Sequence, residues 1–357
     1  MLYEISEKAI ELENEGKKII KFNIGDPDQA TPNPIVEAAS EAMKQGKTKY
    51  SSSAGEKKLR EELASIHNVS ADNVVITAGS KWAIFSLMFL LLKKGGNVVI
   101  PTPHWTSYEL AARNLGAQLR FLKTHIDSDW KIDVEELEKL VDRKTGLVVL
   151  NNPNNPTSKV INDKVFEDIV QIANNKEATI LSDEVYSDIS FVKTKSILGF
   201  GGAHILVKSF SKTFAMTGWR IGYVIAKKEL AKKMVKLNQI TLTNVPVFVQ
   251  QAALKALELR QEIVDKIRED YRGRADLACN ILSKTKMKFS KPDAPFYVFP
   301  KCDNLDSESF AMNLLDEGVA IAPGTAFGDY REHFRISLTV QEKEIELGLN
   351  KICEALR

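Results

Sequence analysis

Cysteine and histidine are scarce in this sequence of 357 residues, with three and five occurrences. Cys279, Cys302 and Cys353 are widely spaced and form no C-x-x-C pair, and the histidines are equally scattered. An odd, dispersed set of thiols argues against a disulfide framework, and the absence of ligand spacing argues against a zinc site. We therefore expect no bound metal and a reducing, cytoplasmic environment.

Charge of one sign and long hydrophobic runs are also lacking. The formal net charge is +2, and acids and bases are spread along the chain, so nothing indicates a nucleic-acid or membrane surface. The most apolar run, residues 82–92, has about half the length needed to span a bilayer. The start of the chain is charged and amphipathic rather than a secretory signal. Small molecules are the expected partners.

Nucleotide-binding fingerprints are the third absence. The turn at residues 78–81 lies between a predicted strand and a predicted helix, but it lacks the lysine spacing of a Walker motif. The glycine cluster at residues 199–202 precedes a predicted strand, whereas a dinucleotide fingerprint must follow one. The sequence therefore gives no support to a P-loop or nicotinamide enzyme.

Short apolar runs alternate with helical segments from residue 73 onward. This pattern predicts an α/β fold with a mainly parallel sheet covered on both faces, whose ligands bind outside the carboxyl ends of the strands. We assign a large domain to residues 35–256 and a smaller, discontinuous α+β domain to residues 1–34 and 257–357. The strand candidates of the large sheet are residues 74–77, 98–101, 118–121, 147–150, 179–182 and 204–207.

The stretch at residues 207–223 combines a lysine with hydroxyl groups and an arginine. Lys212 follows a predicted strand, and a partly desolvated amine of this kind can form an imine with a carbonyl. Ser209, Ser211 and Arg220 are suited to hold a phosphate nearby. A surface lysine in a polar loop is the alternative interpretation of Lys212 taken alone.

Four other groups of candidate residues follow predicted strands. A helix cap, a turn or a core tryptophan would explain each of them separately. Together they would supply a phosphate cradle, a ring stacker, an amide and an acid for a ring nitrogen, which describes a pyridoxal-phosphate pocket around one lysine. The four groups are Gly79 with Ser80, Trp105, Asn155, and Asp183 with Tyr186.

Three motifs carry a resemblance to a known family. S-F-S-K-T-F-A-M-T-G-W-R-I-G surrounds Lys212, N-N-P-N-N-P-T covers residues 151–157, and S-D-E-V-Y covers residues 182–186. With G-D-P-D at Gly25 and F-R-I-S-L at residues 334–338, they resemble the class I/II aminotransferases, in their aspartate/aromatic aminotransferase branch. The resemblance implies the fold-type I architecture with a seven-stranded type of sheet. Ser158 replaces the usual glycine, and the loop G-D-P-D-Q-A-T-P is close to the common pattern without matching it.

The resemblance also implies a role for each matching residue toward pyridoxal 5'-phosphate. Lys212 would be the Schiff-base lysine and the acid/base of the proton shift, while Asp183 would keep the pyridine nitrogen protonated. The other implied contacts are Asn155 and Tyr186 to the ring oxygen, Trp105 stacked on the ring, Gly79, Ser80, Ser209, Ser211 and Arg220 to the phosphate, Tyr50 to the phosphate of the neighbouring subunit in a homodimer, and Arg335 with the Gly25 backbone to the substrate carboxylate.

The expected reaction is ping-pong transfer of an amino group between an amino acid and a 2-oxo acid. Lys81 follows the phosphate-binding turn, where part of the family uses a lysine for the distal carboxylate, so we favour aspartate with 2-oxoglutarate. Trp82 and Trp105 leave open an aromatic or broad substrate range. A cystathionine-type β-lyase would share the pocket, and a regulator built on this fold would need a basic DNA-binding module, which does not precede residue 1.

Overall fold

A computed structural model of the protein describes residues 2–93 and 95–356. Helices occupy much of this part of the chain, beginning with the amphipathic α1. The helices are α1 (Leu2–Asn14), α2 (Asn33–Lys44), α3 (Lys57–His67), α4 (Gly79–Leu91), α5 (Ser107–Asn114), α6 (Val134–Leu140), α7 (Asp163–Asn175), α8 (Lys228–Ile240), α9 (Val247–Glu258), α10 (Arg260–Leu282), α11 (Ser307–Asp316) and α12 (Glu342–Ala355).

The strands form three sheets. Seven strands build the large one, and five short strands build the other two. The strands are β1 (Ile20–Lys21), β2 (Val74–Thr77), β3 (Asn97–Thr102), β4 (Gln118–Lys123), β5 (Thr145–Asn151), β6 (Thr179–Asp183), β7 (Ile205–Ser209), β8 (Gly222–Ile225), β9 (Tyr297–Val298), β10 (Val319–Ala320), β11 (Ala322–Pro323) and β12 (Phe334–Ser337).

The large sheet has the strand order β2-β8-β7-β6-β5-β3-β4. Only β8 runs antiparallel to its neighbours, so the prediction of a mainly parallel sheet is confirmed. All six strand candidates correspond to strands, while β8 is an additional strand. Alternate residues of the inner strands enter two apolar clusters: Leu147 and Val149 belong to one, Val148 and Leu150 to the other. Burial on both faces explains why these strands lack polar alternation.

Parallel registration aligns the strand ends that carry the candidate residues. Asn151 at the end of β5 pairs with Asp183 at the end of β6, and Asp183 pairs in turn with Val207 of β7. Polar residues just beyond three adjacent strands are therefore held at one edge of the sheet, where parallel α/β proteins bind ligands.

The smaller sheets belong to a separate apolar core. β1 pairs in parallel with β10, while β11, β12 and β9 form an antiparallel sheet. A further cluster joins residues of α1 and β1 to residues of α10, α11 and α12. The N-terminal segment thus packs with the C-terminal part of the chain. The boundaries between residues 34 and 35 and between 256 and 257 stay a prediction.

Candidate active site

Lys212 lies in the loop that joins β7 to β8, three residues after the end of β7. Its ammonium group donates a hydrogen bond to the Gly25 carbonyl at 2.6 Å. Burial lowers the pKa of Lys212 to about 8, against an opposing effect from the nearby Asp26 carboxylate. The positive charges of Arg335 and Arg220 lower it further. Lys212 is therefore partly an uncharged amine near neutral pH, the form that a nucleophile or base requires.

Asp183 is a buried carboxylate with two hydrogen-bond donors. The Tyr108 hydroxyl donates to its Oδ2 at 2.7 Å, and the Val185 amide donates to its Oδ1 at 3.2 Å. Burial raises the pKa of Asp183 to about 6, while both donors oppose the rise by stabilising the ionised form. Burial also raises the pKa of Tyr108 well above 10, so its hydroxyl keeps its proton and acts as a donor. Asp183 is thus an anion at neutral pH, and no described residue forms a salt bridge with it.

A polar cradle is formed by the start of α4 and the loop after β7. The Ser209 hydroxyl donates to the Ser211 hydroxyl at 2.8 Å, and the Ser211 amide donates to Ser209 Oγ at 3.1 Å. Arg220 reaches the same place with its guanidinium group against Gly79, whose hypothetical Cβ would lie 2.5 Å from Arg220 Nη2. Amides at a helix start, hydroxyls and a guanidinium together suit a phosphate.

Two backbone features allow this cradle to close. Gly79 has φ +78°, which glycine adopts without strain. A Cβ at Gly222 would lie 3.0 Å from the Ser80 nitrogen, so glycine lets β8 approach the turn. Arg220 itself has φ +54° although it is not a glycine. Strained backbone of this kind is concentrated at functional sites, where the surrounding structure compensates for its cost.

Arg335 projects from β12 and is fully enclosed. Its Nη1 donates to Asn155 Oδ1 at 2.9 Å and its Nη2 donates to the Asn23 carbonyl at 2.7 Å, whereas its Nε has no hydrogen-bond partner. The guanidinium contacts the rings of Tyr297 and Phe327, at 4.4 and 4.9 Å from their centres. A buried guanidinium with spare donors is suited to a ligand carboxylate.

Tyr186 and Trp105 each contact another tyrosine of this region. The Tyr186 hydroxyl lies 3.0 Å from the Tyr297 hydroxyl, and burial raises the pKa of Tyr186 well above 10. Trp105 meets Tyr108 edge to face at 5.5 Å, and the Lys81 ammonium lies 5.1 Å from the centre of the Trp105 ring. Tyr50 is different, because it is 87% exposed.

A buried ion network joins the segments that follow Asp183 and precede Lys212. Asp188, just after Tyr186, accepts hydrogen bonds from Lys208 at 2.5 Å and from Arg260 at 3.0 Å. Lys208 immediately precedes Ser209 at the end of β7. Burial alone would raise the pKa of Asp188, but the two cations lower it below the ordinary range. This network ties the end of β6 to the end of β7.

Ser158 illustrates how the chain tolerates a departure from the common motif. Its φ is +54°, a value that glycine adopts freely and other residues adopt at a cost of roughly 1 kcal/mol. The Ser158 amide donates to the Asn154 carbonyl at 2.8 Å, and its hydroxyl donates to the Pro295 carbonyl at 3.3 Å. The serine therefore keeps the left-handed turn and adds one contact to it.

One sizeable cavity of the protein lies outside this group of residues. A cavity of about 540 Å³ opens beside the loop at residues 151–157, and Tyr108 and Asn154 line it. Lys212, Asp183 and Arg220 do not belong to its lining. In the described part of the chain, no group of three or more His, Cys, Asp or Glu side chains could hold a metal, and no helix is long and apolar enough to cross a membrane. The site is defined by converging polar groups.

Sequence reasoning missed two tyrosines of this site. Tyr108 follows Trp105 by three residues, a spacing that brings side chains to one face of a helical turn, so a local signal existed. Tyr297 lies in β9 of the smaller domain, and no motif of the sequence assigns it a role at a site. Its contacts with Tyr186 and Arg335 depend on segments far apart in the sequence, and no local pattern indicates them.

The fold is that of an aminotransferase, and residues 17–352 match the family described as aminotransferase class I and II. The chain belongs to this family, and this match confirms the predicted family and fold class. Members of the family use pyridoxal phosphate. It is 36% identical to the aspartate aminotransferase of Thermococcus kodakarensis, over 96% of this chain and 90% of that protein. It is 35% identical to aromatic-amino-acid aminotransferase 2 of Thermococcus litoralis, over 95% and 92%. Its structure resembles that of Thermus thermophilus aspartate aminotransferase with maleate, with a TM-score of 0.95 and 32% identity over 99% and 96% of the two chains.

Proposed function

We propose that this aminotransferase holds pyridoxal 5'-phosphate through Lys212 and transfers the amino group of aspartate to 2-oxoglutarate. The observation that carries the proposal is the position of Lys212: its amine has a pKa lowered to about 8 and lies within the electrostatic reach of both Arg220 and Arg335. Arg220 is suited to the phosphate of the cofactor, and Arg335 is suited to the carboxylate of the substrate. Lys212 therefore lies where a nucleophilic amine can reach both the cofactor and the substrate.

The residues fit the cofactor at three separate points. Gly79 leaves room beside Arg220 that a Cβ would fill. Asp183 offers a buried carboxylate that a protonated ring nitrogen would neutralise. The hydrogen bond from Arg335 occupies only Asn155 Oδ1, so the amide hydrogens of Asn155 can donate to a ring oxygen.

The proposed division of labour follows from these environments. When bound, pyridoxal phosphate supplies an electron sink for the α-carbon of the amino acid. Lys212 binds the cofactor covalently and moves the proton at the α-carbon, for which an amine with a pKa near 8 is well matched. Asp183 keeps the ring nitrogen protonated, and Tyr108 orients Asp183. Arg335 binds the substrate α-carboxylate, and its burial beside two aromatic rings excludes water from that contact.

Lys81 is the basis for choosing aspartate. It is the third residue of α4, next to the proposed phosphate site, and its ammonium lies over Trp105. A substrate with a second carboxylate would find a cation there. The competing candidate is an aromatic substrate, which the face of Trp105 and the named specificity of the Thermococcus litoralis relative support.

Replacing Lys81 by alanine separates these candidates. We expect kcat/KM for aspartate to fall about ten-fold, the loss of one charge-assisted hydrogen bond, with little change for phenylalanine or alanine as donor. Lys164→Ala is the matched control, because Lys164 is also an exposed lysine in the first turn of a helix. Steady-state kinetics with the three donors measure the effect. Unchanged selectivity for aspartate would remove Lys81 from the site, and a preference of the unmodified enzyme for phenylalanine would favour the aromatic candidate.

Tyr50 supports a homodimer with shared sites, because a large aromatic residue that is 87% exposed is available to a second subunit. We expect Tyr50→Phe to weaken cofactor use about 50-fold through the loss of a hydrogen bond to phosphate. Co-expression of Tyr50→Phe and Lys212→Ala chains with different tags should restore about a quarter of full activity, since random pairing yields half hybrids with one intact site each. Hybrids that stay as inactive as their parents would contradict a shared site.

A further inference from the structure

Tyr297 lies at the meeting point of three segments of the proposed site. It is a residue of β9, is 2% exposed and pairs with Ser337 of β12, two positions from Arg335. Its side chain contacts Tyr186, Gly25 and Arg335. These three residues come from the loop after β6, from the N-terminal segment and from β12.

The first contact joins two buried hydroxyls. Tyr297 and Tyr186 are 3.0 Å apart, oxygen to oxygen. Burial raises the pKa of Tyr186 well above 10, and its proximity to Tyr297 adds to the rise, so Tyr186 keeps its proton. Only one of two facing hydroxyls donates to the other. If Tyr297 donates, the proton of Tyr186 is directed away from Tyr297 and is available to another acceptor.

The second contact explains why residue 25 is a glycine. A Cβ built on Gly25 would lie 1.9 Å from the Tyr297 hydroxyl oxygen, which is far shorter than any contact between non-bonded atoms. Gly25 does not have a positive φ, so its backbone conformation is open to other residues. Glycine is needed there because a larger side chain would collide with Tyr297. The carbonyl of the same glycine accepts the hydrogen bond from Lys212. Tyr297 therefore sets how closely the N-terminal segment approaches Lys212.

The third contact holds the guanidinium of Arg335. The central guanidinium carbon lies over the Tyr297 ring at 4.4 Å from its centre, and it lies 4.9 Å from the centre of the Phe327 ring. A stacked guanidinium is restricted to one plane, which fixes the direction in which its remaining N–H groups point. The ring and the hydroxyl of Tyr297 thus act on different partners.

We propose that Tyr297 is a positioning residue for both ends of the reaction site. Its hydroxyl donates to Tyr186 and directs the Tyr186 proton toward the ring oxygen of the cofactor, and its ring orients Arg335 for the substrate carboxylate. A donated hydrogen bond polarises the Tyr186 hydroxyl and strengthens the bond that this hydroxyl donates in turn. The inference rests on the proposed function, because it assigns Tyr297 to partners whose roles that proposal defines.

Two substitutions separate the two actions. Tyr297→Phe removes the hydroxyl and keeps the ring over Arg335, whereas Tyr297→Leu removes both. The matched control is Tyr330→Phe, since Tyr330 is a buried tyrosine whose hydroxyl contacts Thr102 and Thr124 and no residue of the proposed site. Thermal unfolding of all three variants measures the general cost of deleting a buried hydroxyl.

The diagnostic readout is the pH dependence of visible absorbance in the cofactor-loaded protein. A donor to the ring oxygen favours the proton-free form of the lysine-bound cofactor, so the midpoint should rise by about 0.5 to 1 pH unit in Tyr297→Phe. KM for the amino donor should stay within two-fold, roughly the scatter of neutral substitutions. In Tyr297→Leu the midpoint should rise similarly and KM should also rise about five-fold through the loss of the stacked ring. Tyr330→Phe should keep the wild-type midpoint.

The other outcomes distinguish a failure of this inference from a failure of the proposed function. A wild-type midpoint in Tyr297→Phe would overturn the inference while leaving the proposed function intact, and an equal shift in Tyr330→Phe would do the same. A wild-type protein that gains no visible absorbance with pyridoxal phosphate would instead overturn the proposed function.

Discussion

Replacing Lys212 by alanine is expected to reduce transamination by at least about 10⁴-fold. The substitution removes the amine that would attach the cofactor and would move the proton at the α-carbon, and alanine can do neither. The fold should persist, because Lys212 makes one side-chain hydrogen bond within residues 2–93 and 95–356, to the Gly25 carbonyl. Single-turnover absorbance with aspartate would measure the loss, and circular dichroism would measure the fold.

Two variants make this test specific. Lys212→Arg keeps a cation at the same place but has no amine that can exchange protons near neutral pH, so its activity should be as low as that of Lys212→Ala. Lys228→Ala removes an exposed lysine that pairs with Asp72 on the surface and should be fully active. Normal turnover in Lys212→Ala, or substantial turnover in Lys212→Arg, would refute the assignment of Lys212.

Replacing Asp183 by asparagine is expected to lower kcat about a thousand-fold and to stabilise the cofactor-free protein. The loss of activity follows because a neutral amide cannot hold a ring nitrogen protonated in a buried site, where removing one partner of an ion pair costs about 4 kcal/mol. The gain in stability follows because the buried carboxylate itself opposes folding.

The sign of the stability effect comes from the pKa of Asp183. Burial raises it from 3.8 to about 6, so the folded protein binds a proton more tightly than the unfolded chain does. The resulting stabilisation is complete below pH 3.8 and is lost as the pH rises through 6. Above pH 6 the ionised Asp183 therefore costs about 3 kcal/mol relative to a neutral group. The free energy of unfolding of cofactor-free Asp183→Asn should exceed that of the wild type at pH 7.5, but not at pH 4.

Asp188→Asn is the matched control with the opposite expected sign. Asp188 is also buried, but Lys208 and Arg260 lower its pKa, so its ionised form stabilises the fold at neutral pH and that contribution is lost as the pH falls. Urea unfolding at pH 7.5 should show Asp183→Asn more stable and Asp188→Asn less stable than the wild type. If both substitutions were destabilising, Asp183 would not be a strained carboxylate awaiting a cationic partner.

Much of the fold could be predicted because it depends on local patterns. The buried strands are continuous apolar runs, and the residues that end them, such as Asp183 and Ser209, can be assigned to one edge of a parallel sheet from the sequence alone. β8 is harder to predict because it follows Arg220 almost at once and overlaps the lysine motif. Because β8 runs antiparallel to β7, the two strands can be joined by a loop without a crossover helix.

The polar contacts inside the site could not be predicted from local patterns. The bond from Tyr108 to Asp183 joins residues 75 positions apart, and that between Tyr186 and Tyr297 spans 111. Neither the charge of Asp183 nor the direction of the Tyr186 proton can be inferred without them. The motifs indicated which side chains surround Lys212, and tertiary packing determines how each is protonated and oriented.

The close approach of Gly25 and Tyr297 also constrains how this protein can change. Alanine at residue 25 would collide with the hydroxyl and with ring carbons at 2.7 and 2.8 Å, so the substitution should be harmful while tyrosine occupies residue 297. With leucine at residue 297, the same alanine should be accommodated at much lower cost. The order of the two substitutions therefore matters, and a library that varies one residue at a time would discard a pair that a combined library could retain.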